Sequence, residues 1–581
     1  MRSDCCLMSA RALIVVLSLL AVALAGCVAE PLATSDAGTA AAATQPELSE
    51  ATHDLGEFLV QKVPGYDGTP LHVEVRLPAG EGPFPVILQY TPYAYFGSED
   101  AEGTLNEAGA NDAARETTGD PLLPDAFVER YVSYGYAVAT AHVRGTGQSG
   151  GCLSVGGPEE GKDGYALVEW FANQSWSTGK LAIIGTSYVG TTQLNTALYA
   201  PPHLSAIVSI SAVSEWYRYY FENGEPRFFG ELPTGVVYTD PVVWAALGAT
   251  PQARNPGNAA DRPGESECTI RHAEENWAQD DYDAYWQARD YTKDIGNVTT
   301  PLLYAHGFRD ENTPTTLVPK LFNPWPAEKR MWLQQHGHGV PGSFEPFWDY
   351  VHRWMDFYLL ERDNGALDQP AVVVQNNLGQ YYTLPEWPLR DAPQTLLHLG
   401  PDGLSASVPA DGEASYRDDP RAMSELQALG VPADGTFLRF DTAALDEPLH
   451  LSGEARLELV AASSATDTQF AALLFDIGPD GSETFVTRGY LDARHADSLV
   501  TGNDITPGQA AFYGIPLHPR DHLLEAGHQL RLVVTSTDKY VVPDTPGATN
   551  TVTFGATGSR LVLPTLDLAS LAFSDSAPTF E

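Results

Sequence analysis

The sequence predicts an α/β fold followed by an all-β sandwich. Three observations predict it. Short apolar runs alternate with stretches of helical period between residues 70 and 215. The alternation returns between 300 and 369. Beyond 370, short strand-like runs follow one another between Gly, Pro and Asp turns. A chain of 581 residues exceeds what one hydrophobic core supports, and a 43% apolar content supplies material for two or three packed units.

The elements follow in order. Residues 70–77 (PLHVEVRL) alternate polar and apolar side chains as a strand does, and 85–89 opens a buried strand. Leu123, Phe127, Val128 and Tyr131 share a helical face ahead of the apolar run 136–143. The Gly-rich turn Arg144-Gly145-Thr146-Gly147-Gln148-Ser149-Gly150-Gly151 comes next, then Leu167, Trp170 and Phe171 at helical spacing and a strand at 181–184. Leu194, Ala197 and Leu198 mark a helix that Pro201-Pro202 stops, and 206–210 is the following strand. Strands and helices taking turns imply a mostly parallel sheet covered by helices on both faces, with reactive loops at the carboxyl ends of its strands.

The rhythm breaks at 216–299, where aromatic clusters (Trp216-Tyr217-Arg218-Tyr219-Tyr220-Phe221) and a polar run suggest a helical cap inserted above the sheet. Residues 51–215 and 300–369 then form the two parts of one α/β domain, with strands at 301–305 and 331–333 and a closing helix bearing Trp348, Val351, Met355 and Tyr358. Residues 370–581, with strands at 455–460, 470–475, 483–488 and 528–536, read as a β-sandwich or jelly roll.

The N-terminus reads as an export signal. Arg2 and Arg11 flank a polar start, and 12–25 is apolar except for Ser18, too short a run to cross a bilayer comfortably. Residues 28–50 lack aromatics and are rich in Ala, Thr, Ser, Pro and acids, so they read as a flexible tether. Cys152 and Cys268 lie far beyond the signal, an even pair compatible with one disulfide in an exported protein or with two separate buried thiols. A formal charge of −42, from 75 acidic and 33 basic residues, repels nucleic acid and other polyanions.

The run Leu181-Ala182-Ile183-Ile184-Gly185-Thr186-Ser187-Tyr188-Val189-Gly190 carries the chemistry. A strand, a Gly-x-Ser and a helix in succession make a sharp turn that projects a serine hydroxyl, with the Tyr188 N–H facing a developing oxyanion at the helix start. The second glycine stands one position later than in strict G-x-S-x-G. A serine hydroxyl needs an oriented base. Asp310 follows the strand at 301–305 and His338 follows 331–333, giving the order Ser, Asp, His, although His336 competes for the role of base. This chemistry requires neither an organic cofactor nor a metal.

Together these segments resemble the family that contains X-Pro dipeptidyl-peptidases and cocaine esterase, serine hydrolases of the α/β-hydrolase type. The resemblance rests on Gly185-Thr186-Ser187-Tyr188-Val189-Gly190, the turn at 144–151, Trp176-Ser177-x-Gly179-Lys180, His306-Gly307-Phe308-Arg309-Asp310-Glu311-Asn312 and Gly337-His338-Gly339. It implies a triad of Ser187, Asp310 and His338, and an oxyanion hole made by the Tyr93 hydroxyl, in Thr91-Pro92-Tyr93, and the Tyr188 N–H. It also implies a substrate region at 214–224, where Glu215 or Glu222 would receive a peptide ammonium while Trp216, Tyr217 and Tyr220 line a proline pocket. Leu24-Ala25-Gly26-Cys27 resembles a lipobox, which makes 1–27 a lipoprotein signal peptide with its lipobox Cys and implies that Cys27 becomes the acylated first residue of the mature chain, a lipid anchor in the cell envelope. The expected reaction passes through an acyl-enzyme and releases Xaa-Pro dipeptides from peptide N-termini; a carboxylesterase or amide acylase using small acyl esters or amides is the alternative.

Overall fold

The computed structural model describes residues 48–93, 124–227, 281–340, 344–418, 435–541 and 547–579. Ten strands form the first sheet: β1 (Leu55–Pro64), β2 (Pro70–Pro78), β3 (Phe84–Thr91), β4 (Ala137–His142), β5 (Ser177–Thr186), β6 (Leu204–Ile210), β7 (Leu302–Gly307), β8 (Lys329–Gln334), β9 (Val372–Gln375) and β10 (Tyr381–Leu384). Their order is β1-β2-β4-β3-β5-β6-β7-β8-β9-β10. The pairs from β4 through β9 are parallel, while β1, β2 and β10 pair antiparallel at the two ends.

Both faces of the parallel region are buried, so its strands lack a polar side. Val86 and Leu88 of β3 and Leu181 and Ile183 of β5 point into one core, where Leu167, Phe171 and Leu194 cover them. Those covers come from helices α2 (Pro158–Ala172) and α3 (Tyr188–Ala197). Ile87, Ala182 and Ile184, one residue out of phase, point into the other core against Phe127, Tyr131, Trp348, Val351 and Met355. That face is covered by α1 (Pro124–Ser133) and the closing helix (Glu345–Leu360). The N-terminal segment docks on the closing helix, where Asp356 accepts hydrogen bonds from the Ser49 N–H and the Ser49 hydroxyl.

Of the expected cap, residues 228–280 lie outside the described residues. The flanks hold a short helix (Trp216–Tyr220), a two-stranded hairpin (Phe221–Glu222 with Glu225–Pro226), another short helix (Ala284–Gln287) and two single 3₁₀ turns.

The switch to all-β structure comes later than 370. Strands β9 and β10 extend the first sheet, because Val372 to Val374 pair in parallel with Met331 to Leu333. The sandwich begins at Gln394–Gly400 and comprises a nine-stranded and a four-stranded sheet around Leu457, Leu459, Leu474, Leu532, Val534 and Leu561. It grips the α/β domain through polar contacts. Arg520 Nη1 donates to Thr315 Oγ1 at 2.8 Å, Thr315 Oγ1 donates to the Pro519 carbonyl at 2.7 Å, and Gln335 Nε2 donates to the Asp521 carbonyl at 2.9 Å. Among the described residues no helix is long and apolar enough to cross a membrane.

Candidate active site

Ser187 sits between β5 and α3 with φ 64° and ψ −128°. A non-glycine residue there carries strain on the order of 1–3 kcal/mol, which the surrounding packing must hold. The two flanking glycines explain how. A Cβ on Gly185 would lie 2.2 Å from Val189 Cγ1, and one on Gly190 would lie 2.7 Å from the Ile210 carbonyl oxygen. The second glycine stands at 190, where α3 passes the end of β6 too closely for a side chain. The Ser187 N–H donates to the Ile210 carbonyl at 2.9 Å, and Tyr188 is the first residue of α3, at the positive end of the helix.

Asp310 follows β7 and is fully buried. Its Oδ1 accepts from the N–H groups of Asn312 and Thr313 at 3.0 and 2.8 Å, and its Oδ2 accepts from Thr313 Oγ1 at 2.6 Å and from His338 Nδ1 at 2.8 Å. Burial alone would raise the Asp310 carboxyl; the charge and hydrogen bond of His338, joined by His306 and Thr313, outweigh it and hold the carboxyl far below its ordinary value. The same pair acts on His338, whose imidazole is lowered by burial but raised further by Asp310, for a net upward shift. The His338 side chain keeps 30% of its surface exposed, so the ring can still be approached.

His336 does not share this geometry. Its Nδ1 donates to the Gly337 carbonyl at 2.8 Å, and burial lowers its pKa. Of the two histidines, His338 makes the hydrogen bond to the Asp310 carboxylate.

The histidine loop abuts the serine turn. The Gly339 N–H donates to Ser211 Oγ at 3.1 Å, and a Cβ on Gly339 would lie 3.6 Å from Thr186 Cγ2, on the residue preceding Ser187. The carboxyl ends of β5, β7 and β8 thus gather Ser187, Asp310 and His338 at one edge of the sheet.

Tyr93 follows β3, its N–H donating to Thr91 Oγ1 at 3.0 Å, and packs half-buried against the core. The Tyr219 hydroxyl donates to Asn312 Oδ1 at 2.9 Å.

The expected substrate region needs correction. Trp216, Tyr217 and Tyr220 are 1%, 0% and 1% exposed, which makes them packing residues rather than walls of an open pocket. Trp216 Nε1 donates to the Tyr291 hydroxyl, while Tyr217 packs against Phe221, Tyr282 and Trp286. Glu222 does not offer a free anion. Its Oε1 is 2.6 Å from His518 Nε2, and its Oε2 is 3.8 Å from Arg227 Nε. Glu215 is buried as well, 3.1 Å from Arg218 Nε and 3.8 Å from Lys320 Nζ. Tyr219 is the tyrosine of this run that turns toward Asn312, and the sequence reading passed over it along with Thr313. An Asp followed three residues later by Thr is a local signal that could have found Thr313, because at that spacing the carboxylate accepts from the Thr N–H and the Thr hydroxyl can reach the same group.

Cys152 is disulfide-bonded. Cys268 and Cys27 lie outside the described residues. Among the described residues no group of three or more His, Cys, Asp or Glu side chains is arranged to hold a metal ion. A cavity of about 550 Å³ opens between the acid-bearing turn and the sandwich, lined by Arg309, Glu311, Gln335, Arg488, Arg520 and Tyr540 among others.

Residues 67–340 match the X-Pro dipeptidyl-peptidase (S15 family), and 364–568 match the X-Pro dipeptidyl-peptidase C-terminal non-catalytic domain. The chain belongs to the X-Pro dipeptidyl-peptidase family. As a member it is a serine hydrolase with an α/β-hydrolase core and a C-terminal β-sandwich. A Streptomyces avermitilis protein, named provisionally as an Xaa-Pro dipeptidyl-peptidase, is 28% identical over 542 residues, covering 81% of this chain and 76% of its own. Two solved structures share the fold at 20% identity. An aminopeptidase from a marine sediment archaeon (Thaumarchaeota archaeon) superimposes with a TM-score of 0.70 over 91% of this chain and 98% of its own. An alpha-amino acid ester hydrolase does so with 0.71 over 93% and 100%.

Proposed function

We propose that the protein cleaves Xaa-Pro dipeptides from peptide N-termini through an acyl-enzyme on Ser187. The observation that carries this reading is the 2.8 Å hydrogen bond from His338 Nδ1 to the buried Asp310, delivered beside a serine held at positive φ. Asp310 fixes the imidazole tautomer that leaves Nε2 to take the Ser187 proton. Attack on the scissile carbonyl forms a tetrahedral oxyanion, which the Tyr188 N–H and the Tyr93 hydroxyl would stabilise; one such donor contributes about 3 kcal/mol. His338 then protonates the departing amine, and water, deprotonated by the same imidazole, hydrolyses the acyl-enzyme.

A second reading, a carboxylesterase or amide acylase with the same charge circuit, is favoured by the state of the acids. Glu222 is engaged by His518 and Glu215 by Arg218, so neither stands unopposed for a substrate ammonium. Ala-Pro and Gly-Pro chromogenic amides compared with short acyl esters separate the two. Turnover of the amides that is lost once Ser187 is labelled by an organophosphonate supports dipeptide removal, and activity confined to the esters rejects it.

The chain is exported and held to the cell envelope by acylated Cys27, a reading supported by the lipobox-like Leu24-Ala25-Gly26-Cys27 and the tether after it. Replacing Cys27 by Ser should move the protein from the membrane fraction to the soluble one; retention in the membrane fraction overturns the anchor.

A further inference from the structure

Beneath the serine turn lies a carboxylate that the triad does not use. Glu160, on α2, is 1% exposed. Its Oε1 accepts from Ser154 Oγ at 2.9 Å and from the Gly156 N–H at 3.1 Å, and both of its oxygens lie 3.1 Å from the Tyr188 hydroxyl. The Gly156 N–H also reaches the Tyr188 hydroxyl at 2.9 Å. Tyr188, itself 2% exposed, is the residue whose N–H opens α3 directly after Ser187. Its backbone thus belongs to the serine turn while its phenol is moored to Glu160.

The loop that completes this mooring is clamped from the far side. Arg289 donates to the carbonyls of Ser154 and Val155 at 2.8 and 3.1 Å, and the Tyr291 hydroxyl donates to the Gly156 carbonyl at 2.8 Å. Trp216 Nε1 donates to that hydroxyl at 3.0 Å, and the Trp216 ring packs edge-on against Tyr188 at 5.1 Å. Val155 and Gly156 both have positive φ, 49° and 70°, and a Cβ on Gly156 would collide with the Trp216 indole. Such a loop keeps its shape because its neighbours hold it.

We propose that Glu160 is a positioning residue: through the Tyr188 phenol it fixes the oxyanion N–H and couples the segment carrying Trp216, Arg289 and Tyr291 to the nucleophile turn. The proposal rests on the acyl-enzyme reading above. Burial in this site also raises the Glu160 carboxyl to about 7, against the pull of its hydrogen bonds and of Arg289. The other titratable groups facing it are Tyr90 on β3 and Tyr291, and the Arg144–Asp163 ion pair acts on Tyr90 as Glu160 does.

The test uses the full chain and the variants Glu160→Gln, Glu160→Ala and Tyr188→Phe. Active sites are counted by organophosphonate labelling of Ser187, and kcat, KM and thermal midpoint are measured for each. Displacing the N–H should lower kcat per labelled site on the order of ten- to a hundredfold in Glu160→Ala and Tyr188→Phe, with KM within about twofold. Glu160→Gln, which still accepts from Tyr188, should recover most of the rate and flatten the pH profile of kcat near neutrality. A lowered midpoint with kcat per labelled site unchanged in all three overturns the proposal and leaves Glu160 a packing residue. If Glu160→Ala does not fold, the other two variants decide. Failure of the parent chain to label at Ser187 is a different result, which overturns the acyl-enzyme reading and this inference with it.

Discussion

His338 Nδ1 lies 2.8 Å from Asp310 Oδ2 across a separation of 28 residues, and this contact joins the ends of two adjacent parallel strands. The contact has a pH consequence. Because Asp310 lifts the imidazole above its ordinary value of 6.5, the ring stays protonated, and unable to accept the serine proton, beyond that pH. The acidic limb of kcat/KM should therefore have its midpoint above pH 6.5, with rate rising as pH rises. A pH–rate profile on a single ester substrate checks this, and a limb centred below 6 contradicts it.

Ser187→Ala and Ser187→Gly should both abolish labelling and turnover, yet differ in stability. With φ at 64°, the alanine keeps the strain and the glycine releases it. Denaturant unfolding should show the glycine variant more stable than the alanine variant by about 1 kcal/mol.

Gly307 ends β7 under the histidine loop, where a Cβ would lie 2.2 Å from the Gly337 carbonyl oxygen and 2.3 Å from that of His336. Backbone atoms cannot swing aside as a side-chain tip can. Gly307→Ala should push the loop off Asp310 and lower kcat by about a hundredfold. Gly296→Ala, with nothing within 4 Å of the added carbon, is the control and should leave kcat unchanged.

Glu222→Ala removes the partner of a buried His518. The loss should appear as roughly 3 kcal/mol of unfolding free energy, with KM for an Ala-Pro amide unaltered. Burial raises the Glu222 carboxyl, but His518 and Arg227 pull it below its ordinary value. Its stabilisation is therefore present above the unfolded-state carboxylate pKa and lost as pH falls through the lower folded value. A raised KM with no loss of stability would return Glu222 to substrate recognition.

What the sequence made legible was the part governed by local signals. The parallel strands are apolar on both faces, and the strand-turn-helix around Ser187 needs glycines at fixed places, so both could be read in one dimension. Strand β1 escaped because it is an edge strand with six exposed positions and no clear period. That strands β9 and β10 pair with the first sheet was not legible, because four-residue runs look alike wherever they pair. The aromatic run at 216–221 was read as a pocket because composition cannot tell a buried ring from a lining one. Orientation separates Tyr219 from Trp216, Tyr217 and Tyr220, and orientation arises only when the flanking chain is packed. Glu160 was invisible for the same reason, since its partners come from 154, 156 and 188.

The acid turn after β7 leans on the sandwich through Thr315, which donates to the Pro519 carbonyl while accepting from Arg520. A recombination event that swapped one half of this gene for a distant cousin's would leave that handshake without its second hand. Each half thus carries hydrogen-bonding groups whose partners the other half must supply.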